Sequence, residues 1–242
     1  MLFKGISYNY LIAATRSIFQ NKKISFINIV SLAIGLAVTL LVMLFVQFEL
    51  TYDRWLTDND RIFRYETQFT EPGRDPRYIA HSDYMVKGAL LDNFSEIEIA
   101  THFTAARHTI LHKNTAFREV IHYVDNQFLE VFDLPLVEGD KTSVLKAPGS
   151  LVISQTTARK YFGAEPAIGK TIEIEGSQDG NTRAFMVAGV FIDIPKNSQL
   201  RWMTIIVRNP LNLEQYGGVA HANWTYPRVE TYLKLKHGAR AA

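Results

Sequence analysis

The sequence has no cysteine, which excludes disulfide frameworks, Cys-ligated zinc, iron–sulfur clusters and thiol nucleophiles together. Charge is sparse and balanced, with 26 basic against 24 acidic residues in 242. A strongly basic nucleic-acid binder and a disordered polyelectrolyte are both excluded. Fourteen Gly and eight Pro are too few for a collagen-like or linker-dominated chain. At roughly 150 residues per domain, the length suits one or two compact units. The first 48 residues lack any acid: Lys4, Arg16, Lys22 and Lys23 give them a charge of +4, which leaves the remainder at −2.

A longer absence follows. From Ile24 to Phe48, 25 residues carry no formal charge. As a helix this run would measure roughly 37 Å, enough to cross a hydrocarbon core of about 30 Å with some tilt. A cleaved signal peptide would have an apolar region of about 7–15 residues and a small-x-small site, and neither is present. The segment therefore reads as a retained anchor. Ser31, Gly35 and Thr39 recur at i, i+4 and i+8, a small-residue face on which another membrane helix could pack. Arg16, Lys22 and Lys23 form a basic flank, which by the positive-inside rule predicts a cytoplasmic N-terminus and an extracytoplasmic 49–242. Upstream, Asn9, Arg16, Gln20 and Lys23 share one helical face and Tyr10, Leu11, Ala14 and Ile18 the other, as in a helix lying in the headgroup layer. The predicted organisation is a basic amphipathic segment 1–23, a transmembrane helix 24–48 and an extracytoplasmic domain 49–242.

The 194 residues from 49 onward read as α+β, in one or two lobes, with strands outnumbering helices. Arg61–Phe69 is expected as a strand, and Ser82 as the cap of a helix with Val86, Ala89, Leu90 and Phe94 on its apolar face. Strands are expected at Ile97–Phe103, His108–His112 and Phe117–Val124, the last two joined by a Lys113–Ala116 turn. Gln127–Phe132 should form a short helix with Phe128, Val131 and Phe132 inward. Leu151–Ile153 is a strand, Ser154 the cap of a helix ended by Gly163, and Thr171–Glu175 an alternating strand. Phe185–Ile194 should run until Pro195 stops it. Met203–Val207 and an alternating run from Val229 to Lys236 complete the set.

Motifs with chemistry fall short. Ala164–Thr171, AEPAIGKT, lacks the first Gly of a phosphate loop, and Pro166 removes a donor, so it reads as a helix-to-strand turn. His108 and His112 on a strand would lie some 13 Å apart, too far to share a metal. Asp58-Asn59-Asp60 opens like a calcium loop but has no closing Glu. No nucleophile elbow, Cys–His pair or carboxylate pair can be named, so no catalytic, cofactor-binding or metal residue is assigned.

The order of segments carries more than any one of them. NYLIAATRSIFQNKKISFINIVSLAIGLAV is followed by VDNQFLEVFDLPLVEGD, LVISQTTARKYFGAEPAIGKTIEIEG, VAGVFIDIPKNSQLRWMTIIV and WTYPRVETYLKLKHGA. This succession resembles the FtsX/MacB-like ABC transporter permeases, specifically their first transmembrane helix and MacB-like periplasmic core domain. The stretch Leu151–Ile174 is its most specific part.

The resemblance implies a non-enzymatic permease subunit of a bacterial inner membrane, with residues 49–242 in the periplasm. It would relay motion from a cytoplasmic ATPase, where ATP would bind, to the periplasmic domain for export, release or signalling. The implied partners are that ABC ATPase, a second permease copy or paralogue, a periplasmic adaptor or substrate, and the lipid bilayer, but no nucleic acid. Such permeases carry at least three further spans, so the chain is expected to be a fragment or one part of a split permease. The alternative is a single-pass anchored periplasmic binding or adaptor module without transport activity.

Overall fold

The computed structural model describes residues 16, 19–112, 115–147, 149–175, 182–208 and 229–239. The chain divides into two compact units, Met1–Tyr52 and Asp53–Ala242. In the first, helix α1 spans Lys22–Leu50, and none of its side chains is buried. Its run of Leu, Ile, Val and Phe is apolar around the whole circumference. It is long and apolar enough to cross a membrane.

The described strands of the second unit are β1 (Ile62–Arg64), β2 (Thr67–Phe69), β3 (Arg77–Ile79), β4 (Ile97–His112), β5 (Thr115–Val124), β6 (Leu136–Glu138), β7 (Ser150–Ser154), β8 (Thr171–Glu175), β9 (Thr182–Phe191), β10 (Ile205–Arg208) and β11 (Glu230–Leu235). Between them lie helices α2 (Met85–Asn93), α3 (Phe128–Phe132) and α4 (Gln155–Phe162). All strands except the β2–β3 hairpin belong to one sheet, ordered β1-β11-β4-β5-β10-β7-β9-β6. β8 pairs with both β4 and β9, which turns part of that sheet into a ring: β4-β5-β10-β7-β9-β8 and back to β4. The long strand β4 makes this closure possible, because one edge of it gives residues 97–103 to β11 and residues 109–111 to β8.

The ring has a filled interior. Ile110, Ile121, Leu151, Ile153, Ile172, Ile174, Phe185, Val187, Ile205 and Val207 come from all six strands and form one buried cluster. Tyr161 and Phe162 of α4 join that cluster. The intervening residues Val152 and Ile206 point the other way, into a second core with Phe128, Val131 and Phe132 of α3. β7 and β10 are thus covered on both faces, which is why they read as continuous apolar runs rather than alternating ones. A register shift in β9 between the partners of Leu151 and Val152 inserts one residue, so that Val187 and Val190 both reach the ring interior. Gly139 sits against that irregularity: a Cβ there would lie 2.7 Å from the Ala188 carbonyl oxygen, and its φ is +100°.

Several predicted elements differ in detail. Arg61–Phe69 is two strands in two sheets, since Tyr65 still donates to the Thr231 carbonyl before the chain turns off into the β2–β3 hairpin. Ser82 caps nothing; its buried hydroxyl bonds Thr231, and Asp83 instead accepts from the N–H of Met85. Phe94 is exposed rather than on a buried face. Ile97–Phe103 and His108–His112 are one continuous strand, held straight through by β5. Lys113 and Asn114 of the predicted turn lie outside the described residues, and Ala116 is already in β5. β9 ends at Phe191, where its pairing with β7 ends, four residues before Pro195. Met203 lies in a turn ahead of β10. In β11 the alternation fails, because Tyr232 stacks on Phe103 and the buried Lys234 pairs with Asp58.

The stretch 151–175 follows its prediction closely. Ser154 accepts from the N–H of Thr157, α4 runs from there to Phe162, and Gly163 ends it. AEPAIGKT is indeed the connection from α4 to β8. Gly163 closes the helix at φ 66°, ψ −124°, outside the left-handed helical region that a C-terminal glycine usually adopts.

Candidate functional site

Ser31, Gly35 and Thr39 lie on exposed positions of α1. Thr39 donates its hydroxyl to the Gly35 carbonyl at 2.8 Å, and no other atom lies near the place a Gly35 Cβ would occupy. The hydroxyl is therefore satisfied within its own helix, leaving a shallow, small-residue surface. Arg16, Lys22 and Lys23 are exposed. Cations in the first turn oppose the helix dipole, so helix stability is not what puts Lys22 and Lys23 there. Of the other residues of the predicted amphipathic pattern, Gln20 is described and exposed, whereas Asn9, Tyr10, Leu11, Ala14 and Ile18 lie outside the described residues.

The largest constellation of polar side chains binds the start of the second unit to its last strand. Asp53, at φ 54°, donates its N–H to the Asn197 carbonyl, and its Oδ1 accepts from the Ser198 hydroxyl at 2.6 Å and the Gln199 N–H at 3.0 Å. Five residues on, Asp58 takes a left-handed conformation that starts the turn Asn59–Arg61 and turns its carboxylate toward Lys234 (2.7 Å) and Arg61 (3.3 Å). The hydrogen bond from Lys234 holds the Asp58 carboxyl below its usual range. Arg61 is nearly buried; its Nε donates to the Leu235 carbonyl, one Nη to Nε2 of His237 at 2.8 Å, and the other to Glu98. One guanidinium fork thereby joins three chain segments. Next to it β1 and β11 run antiparallel, Ile62 against Lys234 and Arg64 against Tyr232.

A second buried network lies at the far ends of β4 and β5. Asp125 accepts from the Thr101 hydroxyl (2.5 Å), the N–H groups of His102 and Gln127, and the Lys87 ammonium (2.7 Å), so α2 is tied to the sheet. The His102 ring lies edge-on to Tyr84. Neither of its nitrogens finds a hydrogen bond among the described residues, and burial pushes its pKa down to about 4. His122, edge-on to Phe103, is likewise pushed down to about 4 by burial. Every acceptor of Asp125 is used, which makes this a structural knot rather than an open site.

His108 and His112 both lie on β4. His108 bonds Tyr123 and the Glu175 carbonyl, and His112 packs edge-on to Tyr161 and Phe162. Among the described residues, no three His, Asp or Glu side chains converge as metal ligands would. In Asp58-Asn59-Asp60, Asp58 opens the turn and pairs with Lys234 and Arg61.

The junction around Arg61 was not visible in the sequence. Its partners lie up to 176 residues apart, and no local pattern connects Asp53 with Ser198 or Arg61 with His237. The one available signal was the density of Asp and Arg just after the apolar run.

Residues 25–242 match the family described as the MacB-like periplasmic core domain. No curated protein matches the chain. Among solved structures, one similar chain is a domain of a protein described as a permease from Porphyromonas gingivalis, with 22% identity and a TM-score of 0.62 over 76% of this chain and 77% of that one. Another is the periplasmic region of MacB from Actinobacillus actinomycetemcomitans, with 18% identity and a TM-score of 0.50 over 74% and 75%. A third, the extracellular domain of the noncanonic ABC-type transporter YknZ from Gram-positive bacteria, has 13% identity and a TM-score of 0.47 over 73% and 83%.

Proposed function

The chain belongs to the family of MacB-like periplasmic core domains, and on that premise we propose that it is a permease subunit, or the N-terminal part of one, in an ABC transporter of the FtsX/MacB type. In this reading α1 crosses the inner membrane with Arg16, Lys22 and Lys23 on the cytoplasmic side, and residues 49–242 lie in the periplasm. ATP is hydrolysed by a separate cytoplasmic ATPase, and this chain converts the resulting helix movement into movement of its periplasmic domain for export, release or signalling. A second permease copy or paralogue and a periplasmic adaptor or substrate complete the assembly. No catalytic step is assigned to the chain.

The observation that carries this reading is the junction at Arg61. The first turn of the periplasmic unit is fixed to the last strand by β1–β11 pairing, a nearly buried guanidinium fork and the Asp58–Lys234 pair. A displacement of the turn Asp58–Arg61 is passed to β11 and, through β11, to β4 and the ring. A flexible tether would absorb the same displacement. That rigidity suits a relay and is unnecessary in a tethered binding module.

The test uses the absence of native cysteine. A single cysteine replacing Thr142, labelled in intact cells by a membrane-impermeant maleimide, should react without lysis; reaction only after lysis overturns the orientation. Co-expressed with an ABC ATPase from the same genome, the chain should copurify with that ATPase, and Arg61→Ala should retain the complex while lowering transport-coupled ATP hydrolysis. Copurification without any ATPase would favour the anchored adaptor.

A further inference from the structure

A surface loop of the periplasmic unit carries residues that the relay does not use. Between β9 and β10, Lys196, Gln199 and Arg201 are exposed, and Trp202 is 68% exposed, the most exposed large hydrophobic side chain described in that unit. Leu200 and Met203 on either side are buried in the core beneath α3, so the loop is anchored while Trp202 is turned outward. The Arg201 guanidinium stacks on the Trp202 ring at 5.0 Å and also donates to the Ser198 carbonyl. The loop thus presents an indole to solvent beside a cation.

Chain connectivity fixes where this loop can be. Asn197, Ser198 and Gln199 are hydrogen-bonded to Asp53, which is three residues beyond Leu50, the last residue of α1. Three residues reach at most about 10 Å. The uncharged run is itself some 7 Å longer than a typical hydrocarbon core, so its C-terminal end emerges into the headgroup layer. The loop is then confined to within a few residues' reach of that layer, whatever angle the unit adopts.

Resting on the reading of α1 as a transmembrane span, we propose that residues 196–202 form a lipid-docking loop, with Trp202 inserted at the acyl–headgroup boundary and Lys196 and Arg201, together with exposed Arg54, on lipid phosphates. Trp suits this boundary because its ring is apolar on most sides and carries one N–H donor, and Arg and Lys keep their charge in the headgroups with their stems along the acyl chains. Among the described residues, Asp53 is bonded to Ser198 and Gln199, and the carboxylate of Asp193 is bonded to Thr156. The loop would hold the foot of the periplasmic unit on the bilayer, so that tilting of α1 turns the unit about a fixed contact.

The experiment follows tryptophan emission of the full chain in phosphatidylethanolamine–phosphatidylglycerol vesicles, with and without phosphatidylcholine brominated at upper acyl carbons. The variant Trp55→Phe/Trp224→Phe leaves Trp202 as sole reporter, and its emission should fall roughly twofold with brominated lipid while iodide in the buffer quenches it little. Should that variant not fold, the difference between the unaltered chain and Trp202→Ala isolates the same signal. A second reporter, Val38→Trp in a chain otherwise free of Trp, reads the span. Quenching at 38 with none at 202 overturns the docking loop and leaves the span intact; loss of quenching at both overturns the span and the loop together. Arg201→Glu should shift the chain's preference away from phosphatidylglycerol, and an unchanged preference would overturn the assigned role of the cation.

Discussion

Helix α1 and the six-stranded ring are both built from Leu, Ile, Val and Phe, yet they hide them in opposite ways. In α1 the backbone groups between the two ends are satisfied along the helix and no side chain is buried, so the cover must come from lipid or from other helices. In the ring the backbone is satisfied between strands, and the apolar side chains Ile110, Ile121, Ile153, Ile172 and Ile205 cover one another. The same composition therefore has a different energetic meaning at the two places. In the ring a methylene is packed to near-crystalline density, whereas on the helix it exchanges one hydrocarbon neighbour for another.

The sharpest way to break this comparison is one substitution made in both regions. Ile110→Asp places a charge where no water reaches and should cost at least about 4 kcal/mol, enough to unfold the periplasmic unit. Leu36→Asp should instead cost about 3 kcal/mol of membrane insertion. Loss of cooperative melting checks the first, and the membrane-inserted fraction of newly made chain checks the second. If Leu36→Asp abolished the melting transition of the unit while insertion stayed normal, the distinction would fail.

The next largest effect belongs to Arg61, which is nearly buried but polar. Arg61→Ala removes a fork that serves Leu235, His237, Glu98 and Asp58, and it should destabilise the unit by about 3 kcal/mol in urea at unchanged slope. Arg61→Lys keeps the charge but can reach fewer of those acceptors, so its midpoint should fall between the two. Equal midpoints for the native chain and Arg61→Ala would remove the rigid junction from the proposed relay.

These contrasts also explain what could be read in advance. The apolar helix was legible because a charge-free run is a local property of the chain, and the observed helix, Lys22–Leu50, extends the predicted run by two residues at each end. The Ser154-capped helix and the Thr171–Glu175 strand were legible for the same reason, since a cap and a period-two pattern need only their own neighbours. Ring closure was not, because it depends on β4 sharing one edge between β11 and β8, and nothing near residue 109 announces residue 174. The break between Phe103 and His108 is absent because Thr104–Arg107 pair with β5, a partner that no local pattern in those four residues shows. The Arg61 junction was hidden by its sequence separation, and Lys234 looked like a solvent-facing strand residue because its partner, Asp58, lies on another element.

Acid should reach the second unit through two histidines. His102 and His122 are buried and held near pH 4, below their unfolded value of about 6.5. Between those values the unfolded chain binds more protons than the folded one, so stability is full above the unfolded value and falls as pH drops toward 4. Each histidine should remove about 2 kcal/mol by roughly pH 5. His122→Phe, filling similar volume beside Phe103, should halve the steepness of that loss, as read from denaturation midpoints between pH 7 and 5. An unaltered slope would mean that carboxylates, not these rings, set the acid sensitivity.

The smallest expected effect tests whether the small-residue face of α1 is covered by protein or by lipid. Gly35 leaves open space beside the helix, and Thr39 is already bonded to the Gly35 carbonyl, so this surface offers close approach and little else. If another helix packs there, Gly35→Leu fills the space between the two backbones and should weaken association about tenfold, on the order of 1.4 kcal/mol. Insertion should be unimpaired, because leucine is at least as apolar. Gly35→Ala adds one methyl group and should weaken association less. Energy transfer between fluorescent fusions in native membranes reads both variants against Leu36→Ile, which lies one position away on a different face. Unchanged transfer for Gly35→Leu would leave lipid as the cover of that face, and the partner helix would then have to pack elsewhere on α1.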